Sequence, residues 1–168
     1  KRVTAHMLVD FSPPTLGNIS DIEPCALDAP GCELSDGADV DSICATHAVA
    51  AWWTGFHDPE SGVASFEYCV GSSPLDCDVS PMAGLGNVTR IVHLFDSPLP
   101  HGTRRCITVE ATNGAGLISA RASSDCVVVD ETPPTTAKVV IGNSIGVHMN
   151  SQADGAIVFG NAQGIDDY

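Results

Sequence analysis

The chain has 168 residues, seven cysteines and a formal net charge of −14, with no Lys or Arg anywhere between Arg2 and Arg90. Such a surface cannot neutralise phosphates, which excludes nucleic acid as a partner. No apolar run approaches the roughly 18 residues of a membrane helix and no signal-peptide pattern occurs, so no membrane segment is expected here and any targeting or anchoring segment is expected to lie elsewhere.

In chain order, residues 3–10 read as a strand running into Val9-Asp10-Phe11-Ser12-Pro13-Pro14-Thr15. That block returns 120 residues later as Val129-Asp130-Glu131-Thr132-Pro133-Pro134-Thr135, identical at five of seven positions. Repetition at a fixed offset signals tandem modules, and Pro-Pro after an apolar β-branched run signals a strand that stops in a stiff, extended linker. The predicted organisation is therefore the last strand and linker of a preceding module in 1–14, one module in 15–134, and the start of the following module in 135–168.

Residues 21–46 are acidic, carry Cys25, Cys32 and Cys44, and show little periodicity. They read as a long insertion stapled by disulfide, since unstapled loops of that length are uncommon in compact domains. Short strands bounded by turn residues follow. Ala48–Gly55 places Val49, Ala51 and Trp53 on one face and Ala50 and Trp52 on the other. Val63–Gly71 aligns Phe66, Tyr68 and Val70. A short strand near Cys77–Val79, a Gly84-Leu85-Gly86 loop and a strand over Val88–Phe95 come next. Arg104–Thr112 turns Ile107, Val109 and Ala111 inward, Asn113–Gly116 makes a hairpin turn, and Leu117–Val129 returns. Helical periodicity is absent, so the expected fold is an all-β, antiparallel β-sandwich with a long acidic loop.

No Cys-x-x-Cys zinc spacing occurs, and seven cysteines indicate disulfides in an oxidising compartment. Cys69 and Cys77 flank one turn nearly symmetrically, and Cys106 and Cys126 flank another. Cross-strand positions of that kind fit disulfide geometry, so Cys69–Cys77 and Cys106–Cys126 are the favoured bonds, with Cys69–Cys106 as the main rival. Of the remaining three, Cys25–Cys32 is favoured as the closest pair in sequence, which leaves one thiol over. Sequons at Asn18-Ile19-Ser20 and Asn87-Val88-Thr89 add N-linked glycans to the expectation of a secreted or cell-surface protein.

Asp58 and Glu60, in the turn at 57–62, are candidate Ca²⁺ ligands to which Asp36, Asp39 and Asp41 contribute; the plainer reading is a turn rich in Asp, Pro, Ser and Gly for backbone reasons. Trp52, opposite in facing to Trp53, is a candidate binding surface for a sugar or another domain, or is covered by the long loop. His57, Asp58 and Ser61 have the residue types of a triad but no nucleophile elbow, and the histidines lack metal spacing. No catalytic residue and no required cofactor are assigned.

The run Leu99–Gly116, with Gly102-Thr103, Ile107, Val109, Ala111, Asn113 and Gly116, resembles the penultimate strand and turn of fibronectin type III domains, with Trp53 at the place of their core tryptophan. The segments Trp53–Val63, Phe66–Gly71 and Ala111–Leu117 are similar to a divergent branch repeated in large extracellular proteins, including those of protists and algae. The resemblance covers roughly residues 47–135 and implies an Ig-like sandwich. Two departures stand out: the corner tyrosine of the family falls at Arg105, and the 21–46 insertion exceeds the family norm. The expected function is a non-enzymatic structural or adhesive module, a spacer and assembly surface that contacts neighbouring modules, copies of itself, other extracellular proteins or glycans, with a filament or surface-hair subunit as one version. The alternatives are a carbohydrate-binding accessory module and a calcium-rigidified adhesion array.

Overall fold

A computed structural model describes residues 9–24 and 38–133, together with the backbone of 139–142 and 159–162. The chain divides into two compact units, Lys1–Glu131 and Thr132–Tyr168, with the division inside the second Pro-Pro block. Among the described residues of the second unit, β10 (Val139–Gly142) pairs antiparallel with β11 (Phe159–Ala162). Most of the predicted strand over 3–10, and Cys25, Cys32 and Asp36, lie outside the described residues.

The first unit is all-β, without a helix among its described residues. One sheet has the order β1 (Asn18–Ile22), β3 (Ala48–Thr54), β6 (Arg90–Leu94), and both pairings are antiparallel. The other runs β2 (Ser42–Ile43), β9 (Val127–Val129), β7 (Arg104–Asn113), β4 (Val63–Gly71), β5 (Ser80–Gly86), with β8 (Ala122–Ser123) also on β7. Only the β2–β9 pairing is parallel among those described for this unit.

The core draws on both sheets, as alternation in the strands requires. Val49, Ala51 and Trp53 from β3 share one cluster with Phe66 and Val70 from β4, Ile107, Val109 and Ala111 from β7, and Val127 and Val129 from β9. Trp53 is 1% exposed, and its ring meets Phe66 edge-on at 5.6 Å, the geometry that ring quadrupoles favour. Tyr68 packs on the edge of this cluster with its hydroxyl 3.0 Å from His93 Nδ1. The Arg105 guanidinium stands 5.9 Å over the Phe95 ring, a cation–π contact.

The strand pattern departs from the sequence expectation in three places. First, Asn18–Ile22 and Ser42–Ile43 are strands where the sequence predicts none, and Asp21, Ile22, Ser42 and Ile43 fall within the expected loop. Second, β5 spans Ser80–Gly86, so Gly84–Gly86 belong to a strand and Cys77–Val79 to the preceding turn. The β4–β5 ladder is irregular at Phe66/Glu67 and at Tyr68/Val70, and glycines are tolerated in such an irregular edge strand. Third, the return strand is interrupted. Ala111 N–H donates to Ser119 Oγ at 2.9 Å and Ile107 N–H to Ser124 Oγ at 3.1 Å, so hydroxyls take the place of ladder carbonyls and the backbone leaves the sheet between short contacts.

Two disulfides close this sheet. Cys69 bonds Cys77 across a Cα separation of 5.4 Å, and Cys106 bonds Cys126 across 4.1 Å. Cys69 and Cys106 do lie on neighbouring strands, but Cys69 is opposite Thr108 and Cys106 opposite Gly71. Each therefore reaches a loop cysteine rather than the other.

Candidate functional site

Two clusters of polar side chains stand out, and they divide the acidic residues singled out from sequence.

The first gathers around Asn113, at the end of β7. Its Oδ1 accepts from the amides of Ala115 (3.1 Å) and Leu117 (2.8 Å), which shapes the hairpin turn. Gly114 is required here because a Cβ would lie 2.9 Å from the Ser61 carbonyl oxygen, while its amide donates to Gly62. The two hydrogens of Asn113 Nδ2 are shared among Asp10 Oδ2 (2.8 Å), the Ser12 carbonyl (3.0 Å) and Asp58 Oδ2 (3.0 Å).

Asp58 completes a second turn. Its Oδ1 accepts from the amides of Glu60 (3.0 Å), Ser61 (2.7 Å) and Gly62 (3.1 Å). The Asn113 hydrogen bond, then the Ser61 amide, hold its carboxyl below the usual range. Glu60 Oε2 accepts from the amides of Phe11 (3.4 Å) and Ser12 (3.2 Å) and from the Ser12 hydroxyl, and Ser61 Oγ donates to Asp10. The Ser12 hydroxyl is the main cause of the lowered Glu60 carboxyl. Thr15 adds an amide bond to the His57 carbonyl at 2.8 Å and a hydroxyl bond at 2.9 Å. The arrangement clamps the first Val-Asp-Phe-Ser-Pro-Pro-Thr block onto the β3–β4 and β7–β8 turns. Asp58 Oδ1 is thus held by amides and Oδ2 by Asn113.

The second cluster is Asp21, Asp39 and Asp125. Each offers one carboxylate oxygen, and the three oxygens lie within 4.8 Å of one another. β1 pairs Ile19 with Trp53 and Asp21 with Ala51, so Asp21 occupies a core-facing position and is 1% exposed. Asp39 and Asp125 are exposed. Asp39 Oδ1 accepts the Asp21 amide at 2.7 Å, and Asp21 Oδ2 accepts the Cys126 amide at 3.1 Å. Asp21 Oδ1 is buried without a hydrogen-bond partner. Burial pushes the Asp21 carboxyl up to about 7; the charges of Asp39 and Asp125 add to this, and Ser124 and the Cys126 amide oppose it. Asp39 is also raised, by desolvation first and then by Asp125 and Asp41.

Of the carboxylates nominated from sequence, Asp58 and Glu60 thus hold the linker, while Asp39 joins Asp21 and Asp125 with Asp41 nearby. Asp21 and Asp125 were missed: one sits in the unrecognised strand, and the other is 104 residues away in sequence. Their convergence has no local signal.

Trp52 is half-buried, with Nε1 out of solvent and without a partner. With Trp53, Thr54, Gly55, Phe56, Phe66 and Thr89 it lines a pocket of about 290 Å³. Asn18 and Asn87 are exposed. Cys44 carries a free, exposed thiol 3.5 Å from Glu23 Oε1, and the charge of Glu23 raises its pKa. No protein-family model matches the chain, and no curated protein matches it.

Proposed function

We propose that this chain carries a non-enzymatic, Ig-like or fibronectin type III-like module of an extracellular tandem array, a spacer and assembly surface that fixes the angle at which the preceding segment enters. The observation that carries the reading is the clamp: Asp10, Phe11 and Ser12 of the first repeated block are gripped by Glu60, Ser61 and Asn113. Every one of those bonds falls on the boundary block rather than on a cleft for a small molecule. A flexible tether needs no such grip, whereas a junction of defined geometry does.

The sheet orders β1-β3-β6 and β2-β9-β7-β4-β5 support an Ig-like sandwich, in which the edge strand switches sheets across the acidic insertion. The two disulfides and exposed sequons at Asn18 and Asn87 fit secretion with N-linked glycans, and no cofactor is needed for such a role. Partners on this reading are neighbouring modules, other copies or other extracellular proteins.

The test uses the protein with its neighbouring modules in place. Electron micrographs should show strings with a narrow distribution of angles between modules, and Asn113→Ala combined with Glu60→Ala should broaden it. An unchanged distribution would reject the clamp as the device that sets geometry. The Trp52 pocket favours one second reading, a carbohydrate-binding module, for which glycan-array binding lost on Trp52→Ala is the evidence required.

A further inference from the structure

The geometry points to a divalent-cation site, most suited to Ca²⁺, formed by Asp21, Asp39 and Asp125 at the place where both ends of the acidic insertion meet the turn before β9. This inference stands apart from the module reading and does not use the clamp.

Three carboxylate oxygens lie within 4.8 Å of one another. An exposed acidic cluster alone is unremarkable, because water solvates each charge. Asp21 differs: it is 1% exposed, and its Oδ1 meets no donor at hydrogen-bond geometry, the Ser124 hydroxyl and the Cys126 amide being the groups that favour its charge. A buried carboxylate oxygen with no partner and two further carboxylates beside it is costly unless it is neutralised. Among the described residues no Lys, Arg or His pairs with any of the three; Arg104 donates instead to the backbone carbonyl of Asp125 at 2.8 Å. A cation held by the three carboxylates would neutralise the buried Asp21 and remove the mutual repulsion in one step.

The donor set identifies the class of ion. Oxygen-only ligation selects hard cations over zinc or copper. Mg²⁺ demands near-ideal octahedral geometry, while Ca²⁺ accepts six to eight oxygens in irregular arrangements, including waters. Here the ligands come from β1, the segment entering β2 and the β8–β9 turn, and Asp39 and Asp125 are exposed, so water can complete the shell. Asp41, whose charge acts on Asp39, adds to the attraction. Binding would tie Asp21 to Asp39 across the base of the insertion and secure both beside the Cys106–Cys126 bond.

The experiment titrates the full chain, stripped with chelator, with CaCl₂ and separately with MgCl₂ by calorimetry, and follows thermal unfolding in parallel. The expected result is one Ca²⁺ per chain with a Kd of about 10⁻⁴–10⁻³ M, as for extracellular modules, weaker Mg²⁺ binding, and a higher Tm with Ca²⁺. Asp125→Asn, at an exposed position, should weaken Ca²⁺ binding about tenfold or more. Asp21→Asn should give a Tm in chelator at or above that of the wild type, because an amide keeps the acceptor for Cys126 and removes a buried charge, and it should abolish the Ca²⁺ response. Absence of both heat and Tm change in the wild type overturns the proposal. So does Ca²⁺ binding that Asp125→Asn leaves intact, since the ion then sits elsewhere.

Discussion

Asp58 shows how one side chain organises a junction. Its first oxygen closes the 58–62 turn on three amides, and its second orients Asn113 toward the linker. Because its folded pKa lies below the ordinary value, chiefly through Asn113, its contribution to stability is present above a pH of about 4 and is lost as pH falls through the folded pKa. Glu60 shifts in the same direction, chiefly through Ser12. Tm measured from pH 7 to pH 2.5 should therefore fall below about pH 4, and Asp58→Asn should lower Tm at neutral pH while flattening that acid limb. An equally steep acid limb in the variant would show that other carboxylates govern the loss. The residue types of this turn were legible in sequence, where Asp, Pro, Ser and Gly in a row announce a turn. That the turn's Ser61 holds Asp10, 51 residues away, was not legible, because nothing local encodes which distant residue it meets.

At the scale of elements, β4 and β7 were readable because alternation of apolar residues reports a buried face, and β3 because a short continuous apolar run bounded by turn residues reads as a buried strand. Trp53, Phe66 and Val109 landed in the core on those signals alone. β1 escaped because a carboxylate, Asp21, stands where the pattern calls for an apolar residue after Ile19. Strand and candidate cation site were hidden by the same residue. The β8–β9 return was misjudged as continuous because Ser119 and Ser124 look like ordinary strand residues in sequence, yet their hydroxyls replace backbone acceptors. Cys106–Cys126 holds that interrupted return to β7 over a separation of 20 residues. By loop-closure entropy its removal should cost about 3 kcal/mol. Urea unfolding of the double variant Cys106→Ser/Cys126→Ser checks this: the midpoint should fall while m rises, because the unfolded chain without its crosslink exposes more surface, and an unchanged midpoint would mean that the hydroxyl bonds already suffice.

For the first compact unit, the decisive feature is that the first Pro-Pro block is held rather than loose. Phe11 is 84% exposed, yet its amide and that of Ser12 are both held by Glu60. Chymotrypsin needs an extended, released backbone, so cleavage after Phe11 should be slow in the native chain. Glu60→Ala should accelerate it roughly tenfold, since bonds to a charged acceptor are the stronger kind. Mass spectrometry of the fragment ending at Phe11 reads the rate, and equal rates would mean that the grip does not order the linker. The second block is tied differently, with the Glu131 amide 3.3 Å from His101 Nδ1 and Asp130 Oδ1 3.4 Å from the same atom. One block is thus held by the turns at 57–62 and 113–116, and the other leaves beside His101.

Local chemistry was enough to indicate an all-β chain with buried strand faces, hairpin turns and two disulfides about turns, and the Pro-Pro block recurs in the sequence itself. Each of these depends on residues close in sequence, or on a pattern with its own period. Folding alone decided that Asp10 and Ser12 meet Asn113, and that Asp21, Asp39 and Asp125 come together. Those meetings join residues 18 to 104 positions apart, and they follow from sheet order and register, which are set by the packing of the whole core rather than by any segment of it.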